Sequence, residues 1–465
     1  MTERSSWQPV RGIRDVLPPE QRHLAAVETA LVDALTGWGY APVSLPLVER
    51  RELYLRKAGE DMVGKLYDWV HHGRALALRP EWTASVLRAF LRGQQAEPLP
   101  VRVRYNGPVF RYERPQRTTY RQFTQIGVEL IGGNAPRADV EVLALACAGL
   151  QQADVADWTL TLGHVGIVRA VLGQLGLTER TASQLLWSLE RLRNEGSAAI
   201  KAEFSAGDAV EQWNLGPLAA LPDAELQTLL LTLLRSVGLP LDNSTRSPEA
   251  IVARLVRKLR RGDEQPALER ALAVLERLSA IRDAPGPALA AAAAVLDDEG
   301  LDAAPLAELR TIVQLLEQTN TELPPIMVDL GLTRGLHYYT GLIFEINGAD
   351  GLQLCGGGRY DDLVASLGGP STPAVGFAYG LERVAAVATP PPLPTRPLVV
   401  VMAGAEQYAA AVAAVARLHA DGYATLLDAR ARTLAANLRD AARRGAQAVV
   451  VVDGEELAWH RVDDG

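Results

Sequence analysis

Apolar positions recur at helical spacing from Glu20 to Gly37 and stop at Gly37 and Gly39, which predicts an amphipathic helix. Tyr40–Val48, holding Pro42 and Pro46, reads as an extended segment. A short strand over Ala75–Arg79 and a helical Thr83–Arg92 follow. Two strands around a turn at 114–119 come next, and Ala135–Gln152 returns to helical spacing. From about 166 to 321 the pattern is almost all helix, with candidates at Thr178–Arg193, Asp223–Val237, Ser247–Arg261, Glu264–Arg282 and Ala303–Thr319. Ser247-Pro248-Glu249 is a start signal, with an N-cap, a first-turn Pro and an acid, and Gly262 is its stop. Strands are expected at Ile326–Leu330, Leu342–Ile346 and Leu352–Leu354, a tight turn at Gly356–Gly358, and a strand-to-helix passage over Val375–Val387. After Pro390–Pro397, a stiff extended linker, a β-α-β-α-β order predicts a small, mainly parallel sheet: Leu398–Met402, Ala405–Ala420, Tyr423–Leu427, Thr433–Arg443 and Ala448–Val452.

The hairpin is the most informative segment. Side chains alternate along a strand, so Arg121, Phe123, Gln125, Gly127 and Glu129 share one face. Gln122, Thr124, Ile126, Val128 and Leu130 take the other, and Arg111 and Glu113 join the polar face from the partner strand. Guanidiniums, carboxylates, an amide and a ring on one surface suit a zwitterion beside a phosphate, because Arg clamps oxyanions while Glu and Gln accept from N–H groups. A solvated strand face alternates in the same way.

Composition narrows the class. Of 465 residues, 48% are hydrophobic and 22% charged, as in ordinary globular chains, and the length predicts two to four domains. A net charge of −8 argues against a protein that coats nucleic acid with its whole surface. Two cysteines, Cys147 and Cys355, build no disulfide framework, and no CxxC pair exists for zinc; a reducing cytoplasm is the simple expectation. The start lacks an apolar signal core, and charge or Pro interrupts every Ala/Leu-rich stretch, so neither a secretory signal nor a membrane span is expected.

Other candidates carry two readings each. Glu81 and Thr83, where a strand gives way to a helix, would grip an ammonium, or Thr83 would simply cap the helix. Arg334-Gly335-Leu336-His337-Tyr338-Tyr339 would set a cation for a carboxylate or phosphate and phenols around a flat ring, or form a surface turn; His337 is assigned no catalytic role. Cys355–Asp361 brings backbone near a ligand through its glycines, with Cys355 a packed residue rather than a nucleophile. Arg383, early in a helix, would meet a base or phosphate, or the motif would serve only a structural ion pair through Glu382. The basic run Arg254, Arg257, Lys258, Arg260 and Arg261 reads as a solvated helix face.

In this order the motifs resemble the histidyl-tRNA synthetase family of class II synthetase folds. Arg11–Pro18 is similar to its N-terminal motif, Phe110–Glu129 to motif 2, Pro373–Arg383 to motif 3, and Arg334–Gly341 and Cys355–Tyr360 to the two histidine-specific motifs. The resemblance implies an α+β fold: an antiparallel sheet with flanking helices, a helical insertion and a C-terminal α/β domain of the anticodon-binding kind. The expected organisation is a core of 1–150 with 322–389, an insertion at 151–321, a linker at 390–397 and the C-terminal domain at 398–465. By resemblance, Glu81, Thr83 and Gln125 would hold the α-amino group of L-histidine, Glu129 and Tyr338 its imidazole, with Tyr339 lining the pocket, and Arg334 its carboxylate. Arg111, Glu113, Arg121 and Arg383 would bind ATP. Pro46 and its neighbours resemble motif 1, which implies a homodimer core.

The family has two branches: ligases that join histidine to tRNA using ATP and Mg²⁺, and the regulatory subunit of ATP phosphoribosyltransferase, which partners a short catalytic subunit and transmits histidine feedback. The resemblance leans to the regulator, which implies no tightly bound cofactor and no tRNA. His337 replaces the synthetase Asp, Gly127–Gly132, Leu162–Gly166 and Arg359–Asp362 are similar to regulators, and Gln116-Arg117-Thr118-Thr119 departs from a Lys-Gly-Arg turn, removing one cation near the phosphates. In a ligase, Arg111 and Arg334 would be the catalytic pair.

Overall fold

Alternation over residues 101–131 builds the centre of the molecule. The computed structural model describes residues 7–55, 63–94, 97–114, 118–206, 221–236, 247–249, 252–253, 256, 265–319, 323–332, 338–393 and 395–462. Its strands, in chain order, are β1 (Ala41–Pro42), β2 (Val48–Arg50), β3 (Asp68–His71), β4 (Arg74–Leu78), β5 (Val101–Phe110), β6 (Gln122–Ile131), β7 (Trp158–His164), β8 (Arg282–Asp283), β9 (Ile326–Asp329), β10 (Leu342–Gly348), β11 (Gln353–Arg359), β12 (Ala374–Gly380), β13 (Leu398–Ala403), β14 (Ala424–Leu427), β15 (Ala448–Asp453) and β16 (Glu456–Arg461). The chain divides into two compact units, Met1–Pro391 and Pro392–Gly465.

In the first unit a nine-stranded sheet runs β1-β5-β6-β12-β11-β10-β7-β9-β8, antiparallel except at β1–β5 and β7–β9. Register sorts its two faces. On the back, Ile126, Val128, Leu130, Phe377, Tyr379, Phe344 and Leu162 pack against the helices Pro18–Gly37 and Arg137–Gln152 in the main core. On the front, Glu129 stands opposite Gly376 and Val103, Gly127 opposite Ala378 and Tyr105, and Gln125 opposite Gly380 and Gly107. The front is covered by the helix Thr83–Ala89 and by Tyr338, Tyr339 and Tyr360. A three-stranded sheet, β2-β4-β3, lies in the same unit.

At the end of β11 the buried Arg359 crosses to the back, where its Nε donates to Asp139 Oδ1 at 2.9 Å and its Nη1 to Gly133 O at 3.1 Å and Asp361 Oδ1 at 2.9 Å. This ties the strand end to the helix Arg137–Gln152.

Three expectations change. Gly356–Gly358 is no turn but the middle of β11; a Cβ on Gly357 would overlap Gly376 O and come within 2.6 Å of Phe377 Cβ, and one on Gly358 would lie 2.8 Å from the Tyr339 ring. These glycines answer close packing across the strand. The turn lies earlier, where Gly348 N–H donates to Leu352 O at 2.9 Å. Residues 158–164, placed by the sequence within the helical insertion, form β7 and pair with β10 along its whole length. The helix expected over Thr178–Arg193 divides into Glu179–Trp187 and Leu189–Glu195 at Ser188, whose hydroxyl donates back to Gln184 O at 2.9 Å. Most of Ser247–Arg261, including the basic run, lies outside the described residues.

The second unit holds the expected parallel strands in the order β14-β13-β15, plus an antiparallel edge strand, β16, that the sequence reading missed. Tyr408–Ala420 packs on one face through Val399, Val401 and Val450, and Leu434–Arg443 on the other through Val400 and Val449. Among the described residues no helix is long and apolar enough to cross a membrane.

Candidate functional site

Glu129 is the centre of the front face and is 1% exposed. Thr83 Oγ1 donates to its Oε1 at 2.7 Å, Tyr105 reaches the same oxygen at 3.4 Å, and Tyr360 donates to Oε2 through a short hydrogen bond. Burial pushes its carboxyl up to about 8 from an ordinary value near 4.5, while the Tyr360 and Thr83 hydroxyls pull the other way. The three hydroxyls belong to β5, the start of a helix and the residue after β11, so the carboxyl is held from three sides of the fold.

Each donor is itself fixed. Tyr105 stacks on Trp82 at 4.9 Å with the rings 10° apart, and the Arg79 guanidinium lies 3.4 Å from the Trp82 ring centre. Arg79 is anchored by Pro108 O at 2.8 Å and Leu45 O at 3.1 Å. Tyr360 meets Tyr338 edge-on at 5.6 Å, and Tyr338 lies 4.9 Å from Tyr339. Burial raises the phenols of Tyr105, Tyr338 and Tyr360 well above their ordinary range, so all three remain O–H donors.

Glu81 caps its helix: Ala84 N–H donates to Oε1 at 3.1 Å and Oε2 at 3.3 Å. Its carboxyl is raised by burial, with the Ala84 amide and then the Arg111 charge acting in the opposite direction. Thr83, read as either a cap or a ligand group, turns its hydroxyl to Glu129 instead. Gln125 Oε1 is buried without a hydrogen-bond partner, an acceptor turned toward the same face as Glu129.

The other end of the hairpin differs. Arg111 Nε donates to Pro80 O at 2.8 Å, and the guanidinium sits 5.4 Å from the Phe123 ring centre. Arg121 Nε donates to Glu113 O at 3.1 Å and its Nη1 to Arg11 O at 3.0 Å, with its guanidinium 3.9 Å from the Tyr112 ring centre. Glu113 pairs with Lys65 at 3.6 Å. Arg383 approaches Gln353 O at 3.4 Å. Its neighbour Glu382, the structural alternative for this motif, accepts from Thr124 N–H with both oxygens, at 2.9 and 3.0 Å, fixing the start of β6. Arg334 and His337 lie outside the described residues.

The histidyl-tRNA synthetase family profile matches residues 12–216 and 219–384, and an anticodon-binding-domain profile matches 398–463. The chain belongs to the histidyl-tRNA synthetase family. A histidine–tRNA ligase from Archaeoglobus fulgidus is 32% identical over 97% of this chain and 93% of its own length. An ATP phosphoribosyltransferase regulatory subunit from Moorella thermoacetica is 33% identical over 80% of both chains. A Bacillus halodurans crystal structure, titled as an ATP phosphoribosyltransferase regulatory subunit/histidyl-tRNA synthetase, matches the fold with a TM-score of 0.66 and 23% identity, covering 96% of this chain and 98% of its own.

Within this histidyl-tRNA synthetase-like core the structure brings Thr83, Gln125, Glu129 and Tyr338 to one face, with Tyr339 beside them, and sets Arg111, Glu113 and Arg121 at the turn end of the hairpin. Sequence reasoning missed Tyr105 and Tyr360 as partners of Glu129. Parity alone would have found Tyr105, which stands opposite Gly127 on the same face.

Proposed function

We propose that this chain binds free L-histidine over Glu129 and works in the cytoplasm as the regulatory subunit of ATP phosphoribosyltransferase, the enzyme of the first step of histidine biosynthesis. The observation that carries this is the contrast within one site. The amino-acid side is assembled from buried donors converging on Glu129. The nucleotide side is not preorganised in this way: Arg111 and Arg121 are only partly buried and rest on backbone carbonyl oxygens that an anion could displace. The motif 2 turn, with Thr118 and Thr119 in place of the synthetase residues, removes a further cation. Histidine would present its imidazole to Glu129 and Tyr338 and its ammonium to Glu81, Thr83 and the unpartnered Gln125 Oε1. Arg334 would take the carboxylate.

The partners on this reading are a second copy of the chain and a short-form catalytic subunit. The small sheet β2-β4-β3 exposes Val48 at 42%, Trp69 at 40% and Val70 at 70%, which supports a homodimer core. Histidine would shift the assembly toward its inhibited arrangement; by reciprocity the inhibited assembly binds histidine more tightly by the same free energy, about 1–3 kcal/mol in typical cases.

The ligase is the second reading, favoured by the anticodon-binding profile on the C-terminal unit and by retention of Arg111, Glu113, Arg121 and Arg383. There a carboxylate oxygen of histidine attacks the α-phosphorus of ATP and pyrophosphate leaves. Arg111 and Arg334 would bear the charge that develops, Mg²⁺ would enter with the phosphates, and tRNA would be the acceptor. Two assays separate the readings. The regulator gives no histidine-dependent exchange of pyrophosphate into ATP, and it confers histidine-sensitive activity on a short phosphoribosyltransferase; strong exchange overturns it.

A further inference from the structure

We propose that Gly376 is a positioning residue of the pocket: its missing Cβ lets the Glu129 carboxyl lie over β12 and meet its hydroxyl donors. The inference rests on reading this pocket as the histidine site. Glu129 and Gly376 are direct partners across β6 and β12. A Cβ built on Gly376 would overlap Glu129 Oε2, the oxygen that accepts from Tyr360, would lie 2.8 Å from the carboxyl carbon, and would also press on the backbone oxygen of Val128.

The surroundings leave the carboxyl no second place. Tyr105 stands on the neighbouring strand β5 with its hydroxyl 3.4 Å from Oε1. Thr83 holds that same oxygen at 2.7 Å from the covering helix. Val103 is the partner of Glu129 on β5. A side chain at 376 therefore displaces the carboxyl from its place over β12 and breaks the Tyr360 bond, besides pressing on the β6 backbone at Val128. Gly376 touches no ligand on this view; it acts through Glu129. The same motif was read from the sequence for its helix-borne Arg383, with no role for this glycine.

A double-mutant cycle tests the contact and the pocket separately. Glu129→Asp draws the carboxyl back by one methylene and relieves its share of the clash, while the contact of a methyl group at 376 with Val128 O is common to the single and double variants, so the difference between them reads the carboxyl alone. Thermal unfolding without ligand reads the contact: Gly376→Ala and Glu129→Asp each lower Tm, and the double variant melts above Gly376→Ala. If Gly376→Ala does not accumulate as folded protein, the inference requires that the double variant does. A double variant melting at or below Gly376→Ala, or equally unfolded, overturns it. Calorimetry with L-histidine reads the pocket: Gly376→Ala weakens binding by about 10- to 100-fold, and the double variant recovers part of that loss. A folded Gly376→Ala binding within about twofold of the parent overturns the positioning role.

Gly133→Ala is the packing control. Its Cβ would overlap Leu130 Cδ2 and approach Ala138 Cβ at 2.7 Å on the back of the sheet. It should lower Tm while weakening histidine binding far less than Gly376→Ala does, since it presses on the back of the sheet; equal losses in both variants would mean a merely structural role for Gly376. A parent chain that binds no histidine refutes the functional reading, while the Tm cycle still decides the contact.

Discussion

The two ends of the β5–β6 hairpin handle charge in opposite ways. At the inner end Glu129 is buried and held by hydroxyl side chains drawn from distant parts of the chain. At the outer end Arg111 and Arg121 lie near solvent, tethered by backbone carbonyls and aromatic faces close by. A buried carboxyl has few rotamers open to it and is already paired, so it is organised before a ligand arrives. A half-exposed guanidinium on a carbonyl can exchange that partner for an anion at little loss. One end is built to read a single shape; the other is adaptable.

The sharpest way to break this contrast is Glu129→Ala. Histidine affinity should fall by about 100-fold or more in calorimetry, and undiminished binding would mean the inner end is not the reading end. Tyr360→Phe removes one donor while keeping the ring, and about a tenfold loss is expected. pH offers a third lever. Glu129 holds its proton in the folded chain up to about 8 but only to about 4.5 when unfolded, so its contribution to stability is complete below the lower value and lost as pH rises through the upper one. Asp139, raised by burial from near 3.8 to about 6, adds a step of the same sign at lower pH. Denaturant unfolding between pH 5 and 9 should therefore show stability declining, and Glu129→Gln should flatten the upper part of that decline. An unchanged slope would place the titrating group elsewhere. Smallest of all, Arg121→Ala should alter histidine affinity by less than about threefold, because its cation sits at the adaptable end. A larger change would erase the distinction between the ends.

How much of this was readable from the chain follows the same divide. Alternation along Arg121–Glu129 put Gln125 and Glu129 on one face, and the strand register agrees. Tyr105 lay within reach of the same parity, opposite Gly127 on that face, but the hairpin was read only from Phe110 onward. Tyr360 escaped because the glycines before it were read as a turn, when they mark strands and rings packed too closely for a Cβ. β7 carries its own signal, the alternation Thr159-Leu160-Thr161-Leu162, yet it stands just before a long helical stretch and was absorbed into it. In the C-terminal unit, local α/β periodicity was enough for the parallel strands, while the edge strand β16 mixes Trp459, His460 and Arg461 and shows little pattern.

Arg359 and Tyr360 are consecutive, yet they serve opposite sides: the guanidinium grips Asp139 beneath the sheet, and the phenol reaches Glu129 above it. A single peptide unit thus works as a rivet through the sheet. Drift in the scaffold helix below would be felt in the set of the carboxyl above, so any selection on that carboxyl's geometry also polices the packing of a helix on the opposite side of the sheet.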